Sequence, residues 1–167
     1  MLQVKGDGYV NSFGTTESIS RAVEKYSSML LHLALTRLSS PADAEDTVQE
    51  VFIRLMTKAP TFKDEEHEKA WLIRTTLNYA INLRKSSAYK NVPLDETVPV
   101  MQPEHYDLLS AIRSLPDKYS AVIHLYYYEG YSIKEISKLL SLPVATVGTR
   151  LTRGREKLRQ LLKEDFE

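Results

Sequence analysis

At 167 residues with 43% hydrophobic side chains, the chain is long enough for one large or two small domains with modest cores. It contains no cysteine, which excludes a disulfide framework, a zinc ribbon and thiol catalysis. The net charge of zero hides a segregation, since ten Lys and Arg residues oppose four acids between Leu108 and Lys163, whereas residues 91–107 hold four acids and no Lys or Arg.

The first part of the chain is predicted to be a flexible N-terminus, residues 1–16, followed by three amphipathic helices. The first helix is expected to start at Thr16 or Ser18 and to run to about Ser39. The second starts at Ser40 and Pro41, because proline is tolerated in the first helical turn.

The third predicted helix runs from about Glu65 to Ala88. Core-facing side chains of the three helices recur at spacings of three and four residues: Ile19, Val23, Tyr26, Leu30, Leu33; Ala44, Val48, Val51, Phe52, Leu55; Ala70, Ile73, Leu77 and Ile81. Three such helices can bury these stripes only against one another, so residues 17–88 are predicted to form a small helical bundle.

Residues 89–103, YKNVPLDETVPVMQP, contain three prolines and no periodicity, and are predicted to be a flexible linker. About 15 residues can stretch to roughly 50 Å, so the domains on either side can act as separate bodies.

Residues 104–167 are predicted to form a second helical domain. A helix at 104–114 and another at 116–129 are expected, and Gly130 ends the latter. Ser132 then caps a short helix, which the sequence Ser-Leu-Pro at 141–143 breaks before a longer helix begins, as in a helix-turn-helix. The fold class is therefore all-α, with two small helical domains joined by a flexible linker.

The long last helix carries two faces. Its buried stripe is expected to contain Val147, Leu151, Gly154, Leu158, Leu161 and Leu162. A neighbouring face has hydroxyls and cations and no acid: Thr146, Thr149, Arg150, Arg153 and Lys157. Major-groove reading requires such side chains, because Arg can fork onto guanine and Thr can serve a phosphate or a base edge. The pattern alone leaves a merely solvated basic face open, and it does not explain Gly148.

Four stretches of the sequence occur in a familiar order and spacing. They are DAEDTVQEVFIRL from Asp43, AWLIRTTLNYAIN from Ala70, VPLDE from Val92, and LPDKYSAVIHLYYYEGYSIKEISKLLSLPVATVGTRLTRGREKL from Leu115. Together they resemble the sigma-70 family of bacterial RNA polymerase sigma factors, in the short two-domain extracytoplasmic function (ECF) group. The resemblance implies a subunit that binds core RNA polymerase and directs transcription initiation at promoters with −10 and −35 elements, with no cofactor and no catalysis of its own.

The resemblance also implies roles for individual residues. Docking on the clamp of the polymerase largest subunit is implied for Asp46, Gln49, Glu50 and Phe52, although Phe52 also fits a core position. Contact with −10 promoter DNA is implied for Trp71, Arg74, Asn78, Asn82 and Lys85, with Asn78 beside a flipped-out base. Contact with −35 promoter DNA is implied for Thr146, Thr149, Arg150, Arg153 and Lys157.

Some positions stay open or depart from the family pattern. Trp71 can either stack on a base or belong to the core. The family usually has an acid at Asn82, often Lys or Arg at Gly148, and usually Ala at Gly154. The helix at 115–129 is expected to lie against the polymerase flap tip, with an exposed tyrosine serving that contact or a regulator. An anti-sigma factor is implied as a further partner.

Two other classes of protein remain as alternatives. A classical helix-turn-helix regulator with a helical dimerisation or sensing domain would bind palindromic half-sites without polymerase. An enzyme is disfavoured, because the four histidines show no metal-ligand spacing and no phosphate-cradling glycine loop is present. No signal peptide or run of roughly 18 apolar residues is found, so we expect a cytoplasmic protein.

Overall fold

The computed structural model describes residues 11–12, 16–86 and 103–164, and the fold is all-α as predicted. Besides one minimal pair of strands, the elements of this described part are helices. In chain order they are β1 (Asn11–Ser12), α1 (Thr16–Leu35), α2 (Pro41–Lys58), β2 (Thr61–Phe62), α3 (Glu65–Lys85), α4 (Pro103–Ser114), α5 (Asp117–Tyr127), α6 (Ile133–Leu140) and α7 (Val144–Glu164).

Capping side chains determine where α2 and α3 begin. Ser40 has an extended backbone and accepts a hydrogen bond from the N–H of Asp43 at 3.3 Å, while Pro41 takes the first helical position. Asp64 accepts in the same way from the N–H of His67 at 2.7 Å. The predicted starts of both helices are confirmed.

The ends of the first helices differ from the prediction. α1 ends at Leu35 rather than near Ser39, because the chain turns at Thr36, whose hydroxyl donates to the carbonyl of Leu33 at 2.6 Å. Val23, expected to face inward, is 37% exposed. α3 ends at Lys85, since the next residue has an extended backbone.

The strand pair lies partly in the segment predicted to be a flexible N-terminus. Asn11 pairs with Phe62 and Ser12 with Thr61 in an antiparallel arrangement. This pairing joins residues about fifty positions apart, so local sequence pattern gives no sign of it.

The N-terminal half packs α1, α2 and α3 around one core, and the five side chains predicted to face inward from α2 are all buried. Tyr26 and Leu30 from α1 and Ile73 from α3 meet that core. The 21 residues of α3 span about 31 Å, at about 1.5 Å per residue, and neighbouring helices can pack along this length.

The same hydrophobic core continues into the C-terminal half. Ile123 of α5, Ile136 of α6 and Val147 and Leu151 of α7 are buried members of the cluster that also contains Ile73. The helix α6 packs across α3, so the two predicted domains are in contact in this structure. Residues 89–102 of the predicted linker lie outside the described residues.

Candidate nucleic-acid interface

The helix-turn-helix is built by α6, a tight turn and α7. Ser132 and Glu135 form a reciprocal capping box at the start of α6, with hydrogen bonds of 3.2 and 2.7 Å. The backbone H-bond from Ser132 holds the pKa of Glu135 below its ordinary value. At the other end, Ser141 adopts a left-handed conformation (φ 54°), and the N–H of Leu142 donates to the carbonyl of Ser137 at 2.9 Å.

The apolar stripe of α7 attaches this helix to the rest of the domain. Val147 and Leu151 are buried, and Leu158 and Leu161 are partly buried against the core. Gly154 lies so close to α5 that an added Cβ would be 3.0 Å from Cγ1 of Ile123. Gly154 therefore serves close helix packing, as its place on the predicted stripe suggested.

The predicted −35 face of α7 points away from the core. Thr149, Arg153 and Lys157 are exposed, and Thr146 and Arg150 are half-buried. Within the described residues, no carboxylate forms an ion pair with Arg150, Arg153 or Lys157. The structure thus brings all five predicted residues to one helix that a major groove can accept.

Gly148 lies on the same helix, between Thr146 and Thr149. A Cβ added there would meet nothing within 4 Å. Nothing in the structure explains a glycine at this position.

The predicted −10 residues on α3 have mixed surroundings. Asn78, Asn82 and Lys85 are exposed, whereas Trp71 is half-buried, with its ring 5.9 Å from that of Phe62 at an angle of 60°. The guanidinium of Arg74 donates a hydrogen bond to the hydroxyl of Ser141. Two of the five residues therefore already contact other parts of the protein.

The predicted polymerase-binding residues on α2 divide into surface and core. Asp46 and Gln49 are exposed, and Glu50 forms an ion pair with Arg54 at 2.9 Å. Phe52 is only 8% exposed and belongs to the core. It can influence a docking surface only by holding α2 in position.

Two exposed apolar residues on α2 extend that surface and were missed in the sequence. Ile53 is 47% and Met56 is 55% exposed. They follow Asp46 by seven and ten residues, so they lie on the same side of the helix. Both residues lie outside the predicted core stripe of this helix, so the spacing could have revealed them as exposed apolar residues.

A groove of about 870 Å³ lies between α4, α5 and α7. Its lining includes Leu108, Ile112, Ile123 and Leu158. Tyr127 and Tyr128 lie beside it and are 52% and 37% exposed, whereas Tyr126 is half-buried. As expected, the three tyrosines do not all face inward. Two of them border an apolar groove.

The described residues contain no group of three or more His, Asp or Glu side chains placed to hold a metal ion. No helix in the same part of the chain is both long and apolar enough to cross a membrane.

Family comparisons match both halves of the chain. The model for "Sigma-70 region 2" matches residues 22–88, and the model for "Sigma-70, region 4" matches residues 105–158. The first match contains α2 and α3, and the second contains the helix-turn-helix.

Similar proteins cover nearly the full length. The ECF RNA polymerase sigma factor SigW of Bacillus subtilis is 30% identical over 90% of this chain and 92% of its own length. The RNA polymerase sigma factor SigV of the same species is 31% identical over 80% of this chain and 85% of its own length.

Two solved structures have a similar fold. CnrH, determined in complex with the cytosolic domain of CnrY, has a TM-score of 0.72 at 25% identity and covers 92% of this chain and 93% of its own. The sigma factor RpoE of Bartonella quintana, in complex with the anti-sigma factor NepR, has a TM-score of 0.67 at 21% identity, over 89% of this chain and 98% of its own.

Proposed function

We propose that the two halves of this chain recognise different promoter elements. The chain belongs to the ECF group of the sigma-70 family of RNA polymerase sigma factors. The chain directs transcription initiation together with core RNA polymerase. The proposed boundaries are residues 17–88 for the polymerase and −10 domain and 104–167 for the −35 domain.

The −35 element is read by the exposed face of α7. The observation that carries this assignment is the row of hydroxyls and cations after the Ser141 turn, with no carboxylate in the described part of the chain to neutralise the cations. Arg150 and Arg153 supply forked donors to base edges or phosphates, and Thr146 and Thr149 supply hydroxyls. Lys157 adds a charge that suits the DNA backbone.

The −10 element is held by α3. Asn78 and Asn82 are exposed one turn apart, so both amides can reach an unstacked base, and Lys85 lies near the end of the same helix. Arg74 takes part once its hydrogen bond to Ser141 is given up. Trp71 packs on Phe62 in this structure and supports the helix.

Polymerase binds at two surfaces. The exposed side of α2 offers Asp46, Gln49 and the apolar pair Ile53 and Met56 to the clamp of the largest subunit, and Glu50 borders this side. A mixed surface with a central apolar patch and a charged rim is typical of a protein interface. The groove between α4, α5 and α7 receives the flap tip.

A regulator is proposed in addition. The Bartonella quintana relative is complexed with an anti-sigma factor and CnrH with the cytosolic domain of CnrY. We expect an anti-sigma factor to bind this chain as well. The protein then works in the cytoplasm, where promoter DNA and polymerase are found, and it has no catalytic activity of its own.

The test is to mix the protein with bacterial core polymerase, isolate the complex by gel filtration and map transcript starts on genomic DNA. Co-elution with a discrete set of starts is expected. The Asn78→Ala variant should retain co-elution but lose open complexes, which separates −10 recognition from polymerase binding. Tight binding of the free protein to palindromic DNA, with no co-elution, would overturn the proposal in favour of a classical regulator.

A further inference from the structure

The short strand β1 pairs with the connection between α2 and α3, which is distant from it in the sequence. Asn11 pairs with Phe62, and Ser12 pairs with Thr61. The connection carries β2 and leads directly into α3, the helix proposed to hold the −10 element. A segment near the start of the chain thus contacts the backbone just before the −10 helix.

Phe62 is the residue of β2 through which this contact acts on α3. Its side chain is buried, whereas Thr61 beside it is exposed. The ring of Phe62 lies edge-on to His67, with the centroids 5.4 Å apart, and is tilted by 60° against Trp71, with the centroids 5.9 Å apart. Aromatic pairs at such distances attract each other beyond the burial of apolar surface. The position of Phe62 therefore determines where the indole of Trp71 lies.

The connection that contains Phe62 is fixed at both ends by the neighbouring helices. Ala59 ends α2 in the left-handed conformation (φ 41°), and its N–H donates to a carbonyl of α2 at 3.1 Å. Asp64 caps α3 at the other end, and the N–H of Lys63 donates to a ring nitrogen of α3 at 3.4 Å. Between these ends, β1 supplies the backbone partner for the two residues of β2. Phe62 therefore has a defined position before α3 begins.

Trp71 is the first residue of the predicted −10 face. The five residues of this face follow one another at steps of three, four, four and three, so they form one stripe along α3. They are Trp71, Arg74, Asn78, Asn82 and Lys85. Trp71 is half-buried against Phe62 and lies two turns before the exposed Asn78. A shift of the indole therefore displaces the edge of the surface that an unstacked base would meet.

We propose that β1 is a positioning element for −10 recognition, which holds Phe62 against Trp71 and thereby sets the start of the −10 face. In this role β1 acts through Phe62 and makes no contact with DNA or polymerase. The role rests on the proposed function, because the position of Trp71 matters for promoters only if α3 holds the −10 element.

The strand pair can be removed without unfolding the helical bundle. A two-stranded pair is marginally stable by itself in water, whereas the core of this half is made by α1, α2 and α3. The double variant Asn11→Pro/Ser12→Pro removes both backbone N–H donors of β1, so it should lose the pairing. Asn11→Thr/Ser12→Thr is the matched control, because threonine is favoured in strands and keeps both N–H groups.

The fluorescence of Trp71 tests the positioning step without polymerase. Because Trp71 is the only tryptophan of the chain, its emission and its quenching by acrylamide report on this one site. The proline double variant should show a red-shifted emission maximum and stronger quenching, since its indole is less firmly packed. The threonine variant should match the unmodified protein. Unchanged emission and quenching in the proline variant would overturn the proposal.

A disulfide tests the pairing itself. Residues directly opposite each other in an antiparallel pair have Cα atoms about 4.5 to 5.5 Å apart, which a disulfide can span. The chain has no native cysteine, so Ser12→Cys/Thr61→Cys offers one specific bond. Oxidation should join the two cysteines and leave the quenching of Trp71 no stronger than in the unmodified protein. Failure to join, or stronger quenching after joining, would overturn the proposal.

Promoter binding tests the role in recognition. Holoenzyme made with the proline double variant should bind a single-stranded −10 oligonucleotide about tenfold more weakly, the effect of roughly one to two lost backbone hydrogen bonds. Its discrimination among −35 variants and its co-elution with polymerase should not change. A loss shared by the −35 element or by polymerase binding would indicate a merely structural role and overturn the proposal, as would unchanged −10 binding.

Failure of the proposed function would give a different result. The unmodified chain would then produce no transcript starts with core polymerase, while the fluorescence of Trp71 would still respond to the loss of β1.

Discussion

The two 21-residue helices α3 and α7 carry the proposed promoter contacts, and their surroundings differ sharply. α3 is central, with buried Leu72, Ile73 and Ala80 and with polar residues bonded to the other half of the chain. α7 is peripheral, held by Val147, Leu151 and Gly154, with its polar face mostly exposed. The residue pattern of α7 alone therefore indicates its proposed role. The surroundings of α3, in contrast, depend on residues far away in the chain.

The largest expected effect is the loss of stability caused by core substitutions, which tests whether α3 is more firmly embedded than α7. Ile73→Ala on α3 and Leu151→Ala on α7 both remove fully buried side chains, for which losses of about 2 to 5 kcal/mol are typical. We expect Ile73→Ala near the upper end and Leu151→Ala near the lower end, because α7 can relax toward solvent. Urea unfolding of both variants measures the difference, and equal losses would mean that α7 is as firmly embedded as α3.

Arg150 tests whether the peripheral face reads bases. If Arg150 forks onto a base, Arg150→Ala costs about 1 to 3 kcal/mol of discrimination at one −35 position. Holoenzyme binding to promoters changed at each −35 position measures this loss. Arg150→Lys is the control, because it keeps the charge and loses the fork.

A loss spread evenly over all promoter variants would instead assign Arg150 to a phosphate. Equal binding by Arg150→Ala and the unmodified protein would remove Arg150 from the reading face.

The two glycines of α7 sharpen the comparison within one helix. Gly148→Ala should stabilise the protein by about 1 kcal/mol, because a helix-interior glycine costs that much and the added methyl group meets nothing. Gly154→Ala should gain less or lose stability, because its Cβ would press on Ile123 and Tyr119. Thermal unfolding distinguishes the two, and an equal gain at both sites would contradict the close packing of α7 on α5.

The smallest expected effect is that of pH on the junction between the halves. Burial raises the pKa of Asp117, but the hydrogen bonds from Arg84 and the charge of Arg37 outweigh it and hold the pKa below its ordinary value. The contribution of Asp117 to the contact between the halves is therefore fully present above the ordinary pKa of about 3.9 and is lost as pH falls through the lowered pKa. The difference in the free energy of unfolding between the unmodified protein and Asp117→Asn, measured by urea unfolding, should thus stay constant near neutral pH.

In acid, the unmodified protein and Asp117→Asn should become alike in their free energy of unfolding. A difference that persisted well below the ordinary pKa would show that the carboxylate charge is not what holds the halves together.

The sequence predicted well whatever depends on neighbours along one helix. The helix starts at Ser40 and Ser132 follow from the residue types found at such starts, and the buried stripe of α2 and the polar face of α7 follow from spacings of three and four residues. It did not predict the strand pair or the partners of Arg74 and Asp117, because these contacts join residues 33 to 80 positions apart. Ile53 and Met56 were missed for another reason, since an apolar residue at a surface breaks the rule on which the core prediction depends.

One helix, α7, carries the proposed −35 face in its first half and lines the apolar groove with its last turns. α7 is one continuous helix, and Gly154 in its middle packs closely on α5. Its two ends therefore keep fixed positions relative to each other. If this face reads the −35 element as proposed, substitutions at Thr149 or Arg150 alter promoter choice without touching the residues that line the groove. Promoter choice and binding to a protein partner can then change independently during evolution. A duplicated copy of the chain could acquire new promoters while still competing for the same polymerase.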